Sequence, residues 1–316
     1  MTTNNALFLQ ISQTLEQIIV GQSSIIEQLL IALLSGGHVI LEGVPGTGKT
    51  LLVKVLSQLI KADFRRIQLT PDILPSDILG TNIFDFNTRD FTLKEGPIFT
   101  EILLADEINR TPPKTQSALL EAMQEQQVTL DGKTRALSPL FWVIATQNSL
   151  EFEGTYPLPE AQLDRFVFKL LIDYPDRSAE KQMLIQAKNS SQGKSTNVRE
   201  LQPIATIEDI LTAREAVQKV EVKENIINYL LDLLEKTRQH PDVALGASPR
   251  AAVIWLQTSK AKAWFAGRNY VTPDDVKTIA IPLLRHRLIL NPEAQLEGVN
   301  SQAVIESILK QVDVPR

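Results

Sequence analysis

Eight consecutive residues constrain this chain more than any others: Gly43-Val44-Pro45-Gly46-Thr47-Gly48-Lys49-Thr50. The apolar run Val39-Ile40-Leu41 precedes them and Leu51-Leu52-Val53-Lys54-Val55-Leu56 follows. A β-prone run, a glycine-rich turn and a helix-like run are the context that the G-x-x-x-x-G-K-[ST] pattern requires. Gly43, Gly46 and Gly48 allow positive φ and let backbone approach a ligand with no Cβ in the way. Successive N–H groups then form an anion-binding nest at a helix N-terminus, where the partial positive charge favours phosphate. In that reading Lys49 reaches the β- and γ-phosphates and the Thr50 hydroxyl ligates Mg²⁺. With Gly at about 7% of residues, chance alone puts the bare pattern in roughly one chain per hundred of this length, before the flanking strand and helix are considered.

At 316 residues, with 43% hydrophobic and 22% charged residues, the chain reads as a soluble globular protein of two domains. A net charge of −5 argues against a dedicated nucleic-acid binder, which usually carries a basic face. The absence of cysteine excludes disulfides, thiol catalysis and zinc-thiolate sites. His38, His240 and His286 are too scattered to suggest a metal cluster. The polar start Met1-Thr2-Thr3-Asn4-Asn5 lacks signal-peptide features, and no apolar run has the length of a membrane helix, so a cytoplasmic protein without membrane insertion is expected.

Leu7, Ile11, Leu15, Ile18 and Ile19 predict a first amphipathic helix, and a second is expected from Ile25 to Leu34. After the glycine-rich turn a helix runs to about Leu59, and strands are predicted at 63–69, 101–107, 141–148 and 166–172. Two hairpins interrupt this alternation. Ile83–Phe86 and Phe91–Lys94 alternate around a polar loop, and arms at 128–130 and 134–137 flank Asp131-Gly132-Lys133, a type I′ turn signal. Beyond Asp173-Tyr174-Pro175-Asp176 the strand signals stop. Residues 177–316 show helical periodicity around a polar loop at 192–197. The expected fold is α/β, with a nucleotide-binding domain at 1–175 and an all-helical one at 176–316.

A phosphate loop alone does not specify a chemistry; its companions do. Asp106 ends an apolar strand, where a carboxylate beside Thr50 can hold Mg²⁺, and Glu107 can act as general base on a water. Asn148 ends the next strand and can orient that water. Arg165, before the last strand, fits an arginine finger, with Arg110 as its rival. Arg250 stands in the first turn of a helix opened by Ser248-Pro249, against the helix dipole, so an anionic partner would explain it.

Together these residues resemble an AAA+ ATPase of the MoxR family, over roughly residues 7–290. Gly43–Thr50 matches Walker A and Leu103-Leu104-Ala105-Asp106-Glu107 matches Walker B. Ala145-Thr146-Gln147-Asn148 is similar to the sensor 1 strand, and Gly246-Ala247-Ser248-Pro249-Arg250 to the sensor 2 motif. Val20-Gly21-Gln22 resembles the segment that closes over adenine. The stretch Asp106 to Gln116 through Glu121 to Glu125 is especially MoxR-like, and the hairpins near 83–95 and 128–137 resemble the helix 2 insert and pre-sensor 1 hairpin.

The resemblance implies an AAA+ P-loop domain with a central parallel five-stranded sheet and hairpin inserts, followed by a helical lid. It also implies a homo-oligomeric ring, usually a hexamer, with ATP and Mg²⁺ as cofactors. Gly43 to Thr50, Leu51, Val20, Gly21, Gln22 and Asp106 would bind the nucleotide, with Thr50 and Asp106 on the metal. Glu107 and Asn148 would act within one subunit, Arg165 from the next, and Arg250 from either. The implied work is chaperone-like remodelling or cofactor insertion on a protein client, with a von Willebrand factor A (VWA) domain partner. A chelatase-type motor subunit is the main alternative. A DNA-acting motor is disfavoured by the acidic charge, and a GTPase by the lack of an N-K-x-D motif.

Overall fold

The computed structural model describes residues 3–87, 89–148, 154–189 and 201–315; the polar loop expected at 192–197 lies outside them. Two helices open the chain, α1 (Thr3–Ile18) and α2 (Ser23–Ser35). Left-handed Gly36 stops α2, and Gly37 donates its N–H back to the Ala32 carbonyl at 3.1 Å. There follow β1 (His38–Gly43), α3 (Lys49–Leu59), β2 (Phe64–Gln68), α4 (Pro75–Leu79), β3 (Gly80–Asp85), β4 (Asp90–Glu95) and β5 (Ile102–Asp106). A 3₁₀ turn at Ile108–Arg110 leads to α5 (Pro113–Glu125), β6 (Gln127–Leu130), β7 (Lys133–Ala136), β8 (Trp142–Gln147), α6 (Glu160–Leu163) and β9 (Phe166–Ile172). The remainder is α7 (Arg177–Asn189), α8 (Ile207–Gln218), α9 (Glu224–Gln239), β10 (Val243–Leu245), α10 (Pro249–Phe265), α11 (Pro273–Leu284), β11 (Ile289–Leu290), α12 (Pro292–Leu296) and α13 (Ser301–Gln311).

The five long strands form one parallel sheet in the order β2-β5-β8-β1-β9. All of β5 is buried, as are the first five residues of β8, which explains why both read as apolar runs rather than alternating ones. Side chains divide by strand period. Val39, Leu41, Ile102, Leu104, Trp142 and Ile144 enter one core with α1, α2 and α3, while Ile40, Leu103, Ala105, Val143 and Ala145 enter a second with α5. The strand order reverses between β1 and β8, and in such sheets ligands bind beyond the carboxyl ends at that point.

Both hairpins form. Leu130 pairs with Lys133 across Asp131 (φ 48°) and Gly132 (φ 76°), the type I′ geometry that Asp-Gly favours, so Lys133 belongs to the arm rather than the turn. The β3–β4 pair reaches from Gly80↔Glu95 to Asp85↔Asp90, longer at its base than the alternation indicates. Among the described residues the C-terminal part is helical apart from an isolated bridge between Glu221 and Tyr270 and one short strand pair. β10 and β11 pair antiparallel, at three and two residues too short to register as a period-two signal.

The larger core continues from α1 and α2 into α8, α9, α10 and α11. Asn5 donates to the Trp264 and Phe265 carbonyls at the end of α10 (2.7 and 2.9 Å), and Phe8 packs edge-on against Trp264 at 5.4 Å between centroids. Among the described residues no helix is long and apolar enough to cross a membrane.

His38 ties β1 to both neighbours of the second core. Its Nδ1 accepts the Val143 N–H at 2.9 Å and Nε2 stands 3.2 Å from the Met123 carbonyl, so the neutral ring with hydrogen on Nε2 satisfies both. Burial pushes its pKa down from 6.5 to about 4. The stability this neutral ring contributes is therefore fully present above pH 6.5 and is lost as pH falls toward 4, by about 3 kcal/mol in all. Urea unfolding between pH 7 and pH 5 is expected to show that loss, with a shallower slope in His38→Asn. Equal slopes in the two proteins would remove His38 as its source.

Candidate functional site

The glycine-rich turn sits where the topology places a ligand. Gly43 pairs with Ile172, and a Cβ on it would stand 2.2 Å from the Ile172 carbonyl oxygen, so close approach of two strands requires glycine there. Gly46 (φ 83°) and Gly48 (φ 84°) are required by conformation instead, since nothing lies within 4 Å of where their Cβ atoms would be. α3 starts at Lys49, directly after Gly48, and its N-terminus faces the turn. The Lys49 ammonium donates to the Gly43 and Val44 carbonyls at 2.6 and 2.9 Å, and the Thr47 hydroxyl to Val44 at 3.1 Å. Burial holds the Lys49 pKa below the ordinary lysine value, against the opposite pull of Asp106 and Glu107.

The acids come from the neighbouring strand ends. The Thr146 hydroxyl donates to Asp106 Oδ1 at 3.0 Å and accepts the Glu107 N–H at 3.0 Å, so one side chain on β8 orients both. Arg66, on β2, donates through Nε to Asp106 Oδ2 at 2.5 Å. Glu107 itself is left-handed (φ 59°, ψ 51°), a conformation that costs a non-glycine residue about 1 kcal/mol or more and recurs at functional sites. Its carboxylate meets Arg110 Nη1 at 3.2 Å. Arg110, the rival arginine, is thus paired within its own chain.

Most of these groups line one cleft of about 420 Å³. Its walls are Pro45 through Leu51, Arg66, Gln68, Asp106, Glu107, and Thr146 through Asn148. The donor set suits Mg-ATP. The left-handed glycines leave an open cradle for phosphate, and Thr50 and Asp106 offer the hard oxygen ligands that Mg²⁺ shares with phosphate and water. Val20, Gly21 and Gln22 do not line this cleft. Gln22 Nε2 donates to the Asp173 carbonyl at 3.2 Å, one residue beyond the Ile172 that abuts Gly43.

Arg165 and Arg250 lie elsewhere. They share a separate groove of about 300 Å³ with Gly36, Gly37, Gln126 and Gln257, and neither borders the cleft. Sequence reasoning overlooked Arg66 and Thr146. Thr146 carried a signal, as a hydroxyl two residues before Asn148 in a buried strand beside the Asp106 strand. Arg66 carried none, because its reach to Asp106 depends on the β2–β5 register.

Similarity to known proteins agrees with this geometry. The family description "ATPase family associated with various cellular activities (AAA)" matches residues 38–168, from the first residue of β1 into β9, and "AAA lid domain" matches 235–308. The chain is 39% identical to Chaperone MoxR1 of Mycobacterium tuberculosis, over 95% of its own length and 80% of that protein's. It belongs to the MoxR family of AAA+ ATPases. The uncharacterized protein YeaC of Bacillus subtilis is 48% identical over 95% of this chain and 92% of its own. The crystal structure of a candidate ATPase from Cytophaga hutchinsonii superposes with a TM-score of 0.90 at 41% identity, covering 99% of this chain and 96% of that one. As a MoxR-family member the chain is an AAA+ nucleotide-binding protein, related to a protein named as a chaperone.

Proposed function

We propose that this MoxR-family chain hydrolyses ATP with Mg²⁺ at a site shared between adjacent copies in a closed ring, a hexamer in the simplest form. The cycle would drive chaperone-like remodelling or maturation of a protein client, in the cytoplasm and with a VWA-domain partner. One observation carries the shared site: the phosphate cleft and the Arg165/Arg250 groove occupy different parts of the same chain. A head-to-tail contact between identical subunits, the kind that closes into rings, would bring the groove of one to the cleft of the next. The name of the M. tuberculosis relative supports the chaperone reading.

Bound ATP and Mg²⁺ would supply the scissile phosphoanhydride and draw charge from the γ-phosphate. The protein's own part is positioning and proton transfer. Lys49 and the turn's N–H groups hold the phosphates, and Thr50 and Asp106 hold the metal. Glu107, released from Arg110, takes the proton of the attacking water on a carboxylate oxygen, and Asn148 orients that water. Val20, Gly21, Gln22 and Leu51 border the adenine. Arg165 and Arg250 of the adjacent copy meet the negative charge that develops on the transferred group. In this reading residues 1–175 form the nucleotide-binding domain and 176–316 the lid.

A site completed by a neighbour makes activity depend on assembly. Wild-type ATPase rate per chain is expected to rise with protein concentration and to plateau where light scattering reports full assembly. A rate per chain that stays constant down to fully monomeric dilution would refute the shared site.

A further inference from the structure

Arg287 stands just beyond the end of α11, almost wholly buried, and all five of its N–H groups have acceptors. Nε donates to Asp164 Oδ1 at 2.7 Å. Nη1 donates to the Val167 carbonyl at 3.1 Å and to the Leu283 carbonyl in the last turn of α11. Nη2 donates to the carbonyls of Asp164 at 3.2 Å and Phe166 at 2.7 Å. One guanidinium therefore grips the backbone immediately before and after Arg165. The other carboxylate oxygen of Asp164 lies 3.9 Å from Arg250 Nε, beyond hydrogen-bonding range but close enough for charge attraction. Asp164 thus links Arg287 to Arg250, while Arg287 brackets Arg165.

We propose that Arg287 and Asp164 are the positioning residues of the arginine pair, fixing Arg165 and Arg250 relative to one another and to the C-terminal helices. The proposal rests on the reading of Arg165 as the group that reaches a neighbour's nucleotide. A guanidinium that must meet charge developing in a transition state has little tolerance for misplacement; a shift of about 1 Å can lower a rate by about 100-fold. Burial of a fully satisfied arginine could also serve stability alone. The two roles differ in what they predict for kinetics, for ATP affinity and for variants combined with Arg165→Ala.

The test uses the full-length protein with Asp164→Asn and, separately, Arg287→Lys. Asn keeps the size of Asp164 and removes its charge. Lys keeps the charge of Arg287 and loses the planar fork, leaving three donors where five acceptor contacts exist. Each is expected to lower kcat by about 10- to 100-fold, with the affinity for a fluorescent ATP analogue within about twofold of wild type. The Asp164→Asn/Arg165→Ala double variant is expected to be slower than Arg165→Ala by much less than the loss in Asp164→Asn alone, because most of that loss acts through Arg165 and only the remainder through Arg250. Either variant should regain activity when mixed with Lys49→Ala subunits, whose Arg287 is intact. Wild-type kcat in both variants, beside a large loss in Arg165→Ala, would overturn the positioning role and leave the shared site standing. A double variant slowed by the product of the single losses would also overturn it. Wild-type kcat in Arg165→Ala would instead overturn the shared site, and this proposal with it.

Discussion

Glu107→Gln is expected to lower kcat for ATP hydrolysis by about 10²- to 10⁴-fold while ATP binding persists. The amide is nearly the size of the carboxylate but cannot take a proton from water. Little else at this position should change. The backbone N–H that anchors Glu107 to Thr146 is untouched, and Asp106 keeps its bonds to Thr146 and Arg66. The ion pair with Arg110 is lost, but both side chains are partly exposed, and pairs of that kind contribute at most about 1 kcal/mol. Single-turnover phosphate release measures the chemical step, and equilibrium titration with a fluorescent ATP analogue measures binding. Phosphate release near the wild-type rate would remove Glu107 from the base role. Loss of binding in step with the rate would make it a ligand rather than a base.

Much of the scaffold behind that prediction was legible beforehand. Buried parallel strands advertise themselves as largely apolar runs, so β1, β5, β8 and β9 stood out along the chain. β2, an edge strand carrying Arg65 and Arg66, was weaker but readable. Asp131-Gly132 announced its hairpin because few residues accept positive φ at two successive positions. The phosphate turn and the acids were legible for a related reason: their spacing is local, set by one strand end and one helix start.

What stayed hidden depends on register and on long-range contact. Arg66 reaches Asp106 only because β2 pairs with β5 so that Gln68 stands opposite Asp106. Arg287 ends a helical periodicity and reads as an ordinary charged residue, yet most of its acceptors lie more than a hundred positions earlier. Asn5 gave no hint that it caps α10, at the far end of the sequence. The separation of Arg165 and Arg250 from the cleft is of the same kind. Sequence order places Arg165 near the other site residues, and only the fold places it in a different groove.

That separation makes Arg165→Ala the more searching substitution. Loss of an arginine finger lowers phosphoryl-transfer rates by about 10³- to 10⁵-fold, and the variant should still bind ATP, because Arg165 does not border its own chain's cleft. Lys49→Ala fails in the complementary way: its groove is intact and its grip on phosphate is lost. If both residues serve one subunit's own nucleotide, every subunit in a mixture of the two variants is dead, and no ratio restores turnover. If Arg165 serves the neighbour, a subunit with intact Lys49 next to one with intact Arg165 forms a complete site. Random pairing in a closed ring of equal parts makes about one contact in four of this type. The equal mixture is therefore expected to recover about a quarter of wild-type activity, with less on either side of that ratio. Mixed rings are confirmed by co-purification through a tag on one variant. Mixed rings with no recovery would place Arg165 outside the neighbour's site, whereas recovery that peaks at equal parts requires the catalytic unit to be the contact between two chains.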